Sequence, residues 1–149
     1  MLEEKRLSLA EAQHVIEVAF AAAREAEHRG IAVVVVDKYG EVIVGARMDG
    51  LAPRYFKAAN RKSYTAAVFE RGTAQVLKFW AAQEARGHRG PPDWNDPMFT
   101  TLPGGLTVHY GDEIVGGIGV AGGTSAPTTD EYFAECALGA LGEGFTSGD

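Results

Sequence analysis

A lysine stands on the apolar stripe of a helix-forming segment. From Pro53 to about Phe69 the residues Tyr55, Ala58, Ala59, Lys62, Ala66 and Phe69 recur at helical spacing, with Lys62 inside the stripe. An ammonium so placed either snorkels past its neighbours to water or is held, partly buried, for a carboxylate. That carboxylate is the protein's own, Asp49 for instance, or a ligand's. Arg47 and Arg54 flank the start of the segment and complete a basic cluster suited to an acidic ligand. A second stretch, Gly117-Ile118-Gly119-Val120-Ala121-Gly122, leads from a strand towards Thr128-Thr129-Asp130-Glu131, which reads as a capping box with Thr128 at the N-cap. A strand end meeting a helix N-terminus offers backbone N–H groups and a favourable dipole to an anion, which makes Gly119 and Gly122 candidate ligand contacts. The alternative is that these glycines let the strand lie close against a helix.

Several familiar chemistries are absent. The glycine pattern matches the dinucleotide fingerprint, but a single helix follows it where a βαβ unit with a distant acidic residue is required. His14, His28, His88 and His109 show no metal-ligand spacing, and there is no CxxC, Walker or GxSxG sequence, so no metal site is expected. His109 sits on a short alternating strand, either as an ordinary hydrogen-bonded histidine or as a proton carrier.

The elements that must position these residues are legible from pattern. Ser8 and Glu11 make a capping box ahead of an alanine-rich helix that ends near Gly30. Ile31 to Val36 reads as a strand buried on both faces, and Glu41 to Met48 as its antiparallel return. The Lys62 helix follows, then a short helix up to about Arg86. Residues 88–101, rich in proline and carrying Trp94, Met98 and Phe99, read as an ordered lid or an arm over another subunit. Leu106–Tyr110 and Glu113–Val120 form a second hairpin, the last helix follows, and the tail after Phe145 should fray. The order α-ββ-αα-ββ-α specifies an α+β fold with one mainly antiparallel sheet flanked by helices.

At 149 residues, 46% apolar and 23% charged, the chain is expected to be one globular domain over residues 1–149. A net charge of -6 argues against a nucleic-acid partner. No spanning run and no secretory leader are visible, so no membrane association and a cytoplasmic setting are expected. Cys136, the only cysteine, fits a reducing compartment and a buried place on the last helix. The alanine face, the two-sided strand and the aromatic arm predict a homo-oligomer.

The constellation resembles the GlcG/HbpS family of small haem-binding or haem-degrading-type domains, related to the C-terminal domain of PduO. The likeness is carried by Leu9 through Ala26, Val35-Val36-Asp37 with Gly40, Arg47-Met48-Asp49-Gly50, Ala58-Ala59 with Lys62 and Thr65-Ala66, Gly104-Gly105, and the Gly117–Gly122 run. It covers nearly the whole chain and departs at Ala121, where the family usually has serine, and in a longer loop around Pro91–Phe99. The resemblance implies a profilin-like or GAF-like sheet, a homo-oligomer, and haem or another tetrapyrrole as ligand. It also implies an accessory role in the catabolism of small acids. On this reading Arg47, Asp49, Arg54, Lys62, Gly119 and Gly122 line the ligand site. An alternative is a cofactor-independent isomerase or hydrolase acting on a carboxylated catabolic intermediate. There Lys62 and Arg54 hold the acid and Asp49 or His109 moves protons. A third is a scaffold with no ligand.

Overall fold

Ala32 to Val36 are fully buried, because helices cover both faces of the strand they form. The computed structural model describes residues 1–125 and 128–148. Its elements are α1 (Leu9–Glu25), β1 (Ala32–Asp37), β2 (Val42–Arg47), α2 (Pro53–Val68), α3 (Thr73–Ala85), the single turn α4 (Pro91–Trp94), β3 (Gly105–Tyr110), β4 (Glu113–Ala121), the two-residue strands β5 (Thr124–Ser125) and β6 (Thr128–Thr129), α5 (Asp130–Gly139) and β7 (Phe145–Thr146). The main sheet has five antiparallel strands in the order β2-β1-β4-β3-β7, and β5 and β6 form a separate ribbon. The α+β class and the single antiparallel sheet expected from the order of elements are therefore observed. Among the described residues no helix is long and apolar enough to cross a membrane.

Alternation along the strands sends side chains to two cores. Val33, Val35, Ile118, Val120, Leu106 and Val108 meet Ala12, Val15, Ala19 and Ala23 of α1 and Phe133, Ala134 and Ala137 of α5. Ala32, Val34, Val36 and Ala121 meet Ala59, Ala67, Tyr55, Phe56 and Ala58 of α2. The second core is thin because glycines replace side chains beneath α2. A Cβ on Gly119 would collide with the Ala59 carbonyl, one on Gly117 with the Ser63 carbonyl and one on Gly105 with the Lys62 carbonyl. The helix backbone therefore rests directly on β3 and β4, and Thr107 completes the contact by donating from Oγ1 to the Ala66 carbonyl at 2.6 Å.

The Ser8–Glu11 capping box forms as expected, with both reciprocal hydrogen bonds. Four expectations are corrected. The last helix is capped by Thr129, not Thr128. Its side chain accepts from the Tyr132 amide, so Glu131 falls one position short of closing a box. The tail does not fray at Phe145. Phe145 and Thr146 pair with Tyr110 and His109, and the Phe145 ring lies edge-on to Tyr110 at 4.9 Å. Residues 88–101 dock on their own domain: Trp94 and Phe99 surround Phe69, Arg61 donates to the Pro97 and Phe99 carbonyls, and Tyr64 donates to Asp96. The segment that read as an ordered lid or an arm is thus ordered, with its apolar side chains packed on α2 of the same chain. Cys136 is half-buried.

Candidate functional site

The glycine floor carries Lys62 to the point where β4 outruns β3. Val120 still donates its N–H to the Gly104 carbonyl at 2.9 Å. Its own carbonyl accepts from Lys62 Nζ at 2.9 Å. The same ammonium donates to Asp130 Oδ2 at 2.8 Å, and the side chains are only 4% and 15% exposed. Asp130 opens α5, where the helix dipole favours a carboxylate, and its Oδ1 accepts from the Gly123 amide. Gly104 (φ +117°) must be glycine, since a side chain there would press on the Val120 carbonyl and Asp130 Cβ and stand 3.2 Å from Lys62 Nζ. Lys62 is therefore a buried ion-pair partner. Asp49 has no part in the pair.

A cleft of about 530 Å³ opens beside this pair. Ala58, Leu102, Pro103, Ala121 and the Tyr55 ring make its apolar walls; Lys62, Thr129, Asp130, Glu131 and the Gly122–Gly123 backbone make its polar end. An ammonium has three donors, and Lys62 spends two on Val120 and Asp130, which leaves one for whatever enters. On the same face of α2, about two turns before Lys62, Tyr55 Oη accepts from Arg29 Nη2 at 3.0 Å and from Arg54 Nη2 at 3.1 Å. The hydrogen bond from Arg54, its charge and the nearby Arg29 push the Tyr55 phenol below its ordinary pKa.

The residues singled out from sequence fall in different places. Lys62 and Gly122 line the cleft, and Arg54 reaches its wall through Tyr55. Gly119 lies under α2, where it provides close packing. Arg47 and Asp49 share a separate shallow depression with Phe20, Arg24 and Met48. His109 borders a third, with Glu70, Arg71, Lys78 and the Ser147–Gly148 tail. Asp130 and Tyr55 also line the cleft, and the sequence alone does not mark either as a site residue. The only signal for Asp130 was its place at a helix start, and Tyr55 read as one more apolar position on a stripe.

A family model described as "Haem degrading protein HbpS-like" matches residues 7–138. The chain belongs to that family. Among curated proteins it is 30% identical, over 109 residues, to an uncharacterized 15.0 kDa protein from the dhaT-dhaS intergenic region of Citrobacter freundii, covering 73% of this chain and 74% of that one. The structure superposes on a double mutant of Streptomyces reticuli HbpS with a TM-score of 0.81 at 30% identity, covering 96% of this chain and 92% of that chain. It shares its fold with PduOC, whose structure is a complex with haem, at a TM-score of 0.79 and 22% identity, covering 91% and 94%.

Proposed function

We propose that this HbpS-like protein binds haem, or a closely related tetrapyrrole, in the cleft between Tyr55 and the Lys62–Asp130 pair. The observation that carries the reading is the cleft's chemistry. A haem needs apolar walls for its ring, a side chain able to ligate iron, and donors for its carboxylates. Ala58, Leu102, Pro103 and Ala121 supply the first, Tyr55 is of a ligating type, and Lys62 keeps one N–H unspent. A volume of about 530 Å³ is in the range of cofactor sites. Membership of a haem-degrading family and likeness to a protein crystallised with haem support it further.

Bound iron would supply the redox or ligand-exchange chemistry. The chain's own part is to exclude water with the apolar walls, to orient a carboxylate at Lys62, and to hold the Lys62 ammonium in place through Asp130. Because Asp130 already neutralises Lys62, the pair attracts an acid by its free N–H more than by net charge. Titration of the purified protein with ferric haem, followed in the Soret region, tests the reading. Saturation at one haem per chain is expected, and a linear response matching free haem would reject it.

The homo-oligomer is part of the proposal. β2 lies at the edge of the sheet and pairs only with β1 among the described residues, and Val42 on it is 49% exposed. The enzyme alternative now centres on Lys62 and Asp130, since Asp49 and His109 border other depressions. A carboxylated substrate turned over without haem would favour it.

A further inference from the structure

We propose that Tyr55 is the side chain that ligates the iron of a haem held in the cleft, with Arg29 and Arg54 holding its oxygen as a phenolate. This rests on the haem reading above and names its protein ligand.

Protein ligands to haem iron are histidine, cysteine, methionine and tyrosine. Tyr55 is the one such residue lining the cleft among the described residues. None of the others lines it. His28 Nδ1 accepts from the Gly30 amide and its ring lies edge-on to Phe133, Met48 Sδ accepts from the Ile31 amide, and His109 borders a different depression. His14 pairs with Glu17 on the exposed side of α1, and Met98 lies in the loop docked on α2.

The surroundings of the Tyr55 oxygen point the same way. Two guanidiniums from different parts of the chain converge on it, Arg29 from the link before β1 and Arg54 from the first turn of α2, at 3.0 and 3.1 Å. Their planes also lie by the ring, 5.7 and 4.6 Å from its centre. Arginine has donors and no acceptor, so both contacts use lone pairs of the oxygen, and neither can receive the phenol's own proton. No other partner of that hydroxyl exists among the described residues. Two cationic donors and no acceptor favour the deprotonated oxygen. On ligation the phenol proton leaves to solvent and an oxygen lone pair goes to ferric iron in place of a bound water. The iron stays ferric, and nothing is oxidised or reduced. Lys62, already paired, and the carboxylates of Asp130 and Glu131 also line the cleft, and none of them is hydrogen-bonded to the phenol oxygen, whose contacts are the two arginines.

The test is the spectrum of the ferric haem complex of the full chain, by absorbance and resonance Raman. Wild type should show a phenolate-to-iron charge-transfer band and an iron–phenolate vibration. Tyr55→Phe should lose both and bind haem roughly tenfold or more weakly, the loss expected when one good polar contact disappears. Tyr55→His should restore tight binding with a nitrogen-ligated spectrum. Arg54→Leu should keep Tyr55 but show the phenolate signature only at higher pH, which gives a readout even if a Tyr55 variant fails to fold. A Tyr55→Phe complex with the wild-type spectrum, or an Arg54→Leu complex with an unmoved phenolate signature, would overturn the assignment while leaving haem binding intact. Failure of wild type to bind haem at all would overturn both.

Discussion

Replacing Lys62 by methionine keeps the length of the side chain and removes its charge. The deletion takes away an ion pair of 2.8 Å with Asp130 and a hydrogen bond of 2.9 Å to the Val120 carbonyl. Val120 is fully buried, so its carbonyl then lacks a donor, a loss of about 1–3 kcal/mol. Breaking a buried pair by removing one partner costs about 3–5 kcal/mol. The two figures overlap, and Asp130 keeps the Gly123 amide and faces the cleft, where water can reach it. A total of about 3 kcal/mol follows, equivalent to a fall in Tm of roughly 6–12 °C for a domain of this size. Urea melts of wild type, Lys62→Met, Asp130→Asn and the double variant should show a coupling of about 1 kcal/mol or more, with the double variant less damaged than the sum of the singles. A cost for Lys62→Met below about 1 kcal/mol, with no coupling to Asp130, would make Lys62 a snorkelling surface lysine and refute the account of the site.

Other expectations follow from particular contacts. Gly119→Ala should cost about 3 kcal/mol, because its methyl group would meet the Ala59 carbonyl, whereas Gly139→Ala, with open space around it, should be neutral or slightly stabilising; equal melts for the two would contradict the glycine floor. Tyr64→Phe removes the hydrogen bond to Asp96 and should expose residues 88–101 to proteases without moving the haem titration; unchanged cleavage would mean that the aromatic contacts alone hold the loop. Glu4 binds Tyr39, Arg6 and Lys38, and these bonds lower its carboxyl from 4.5 to about 2. A depressed acid stabilises the fold fully above its unfolded value and loses that contribution as pH falls through the folded one, so amide protection of residues 4–7 should decline between about pH 4.5 and pH 2. The same decline in Glu4→Gln would count against this cause. Light scattering at micromolar concentration should report at least a dimer, and a clean monomer would remove the oligomer from the proposal.

What could be read from sequence follows range of action. The Ser8 cap, the two-sided β1 and the stripe of α2 are set by neighbours within a few residues, and each formed as its pattern required. The lysine on that stripe was visible for the same reason. Its partner was not, because Asp130 lies 68 residues away and meets Lys62 only after β4 is laid between β1 and β3. Local pattern shows two hairpins but not that their inner strands join, so Arg47, Asp49 and Lys62, close in sequence, were grouped although they border different surfaces. The glycine run illustrates a shared signal. Gly119 serves packing and Gly122 the cleft, and only the third dimension separates the two uses. For Trp94 and Phe99 the sequence leaves open a lid or an arm over another subunit, because their partner, Phe69, stands at the end of a helix whose outer side has no sequence marker.

The most direct test of the central claim is a crystal structure of the protein grown with ferric haem. The account predicts a flat density with a strong iron peak between Ala58, Leu102 and Ala121, one carboxylate within hydrogen-bond distance of Lys62 Nζ. Haem density in the depression of Arg47 and Asp49, or beside His109, with the Tyr55–Lys62 cleft holding only solvent, would contradict it.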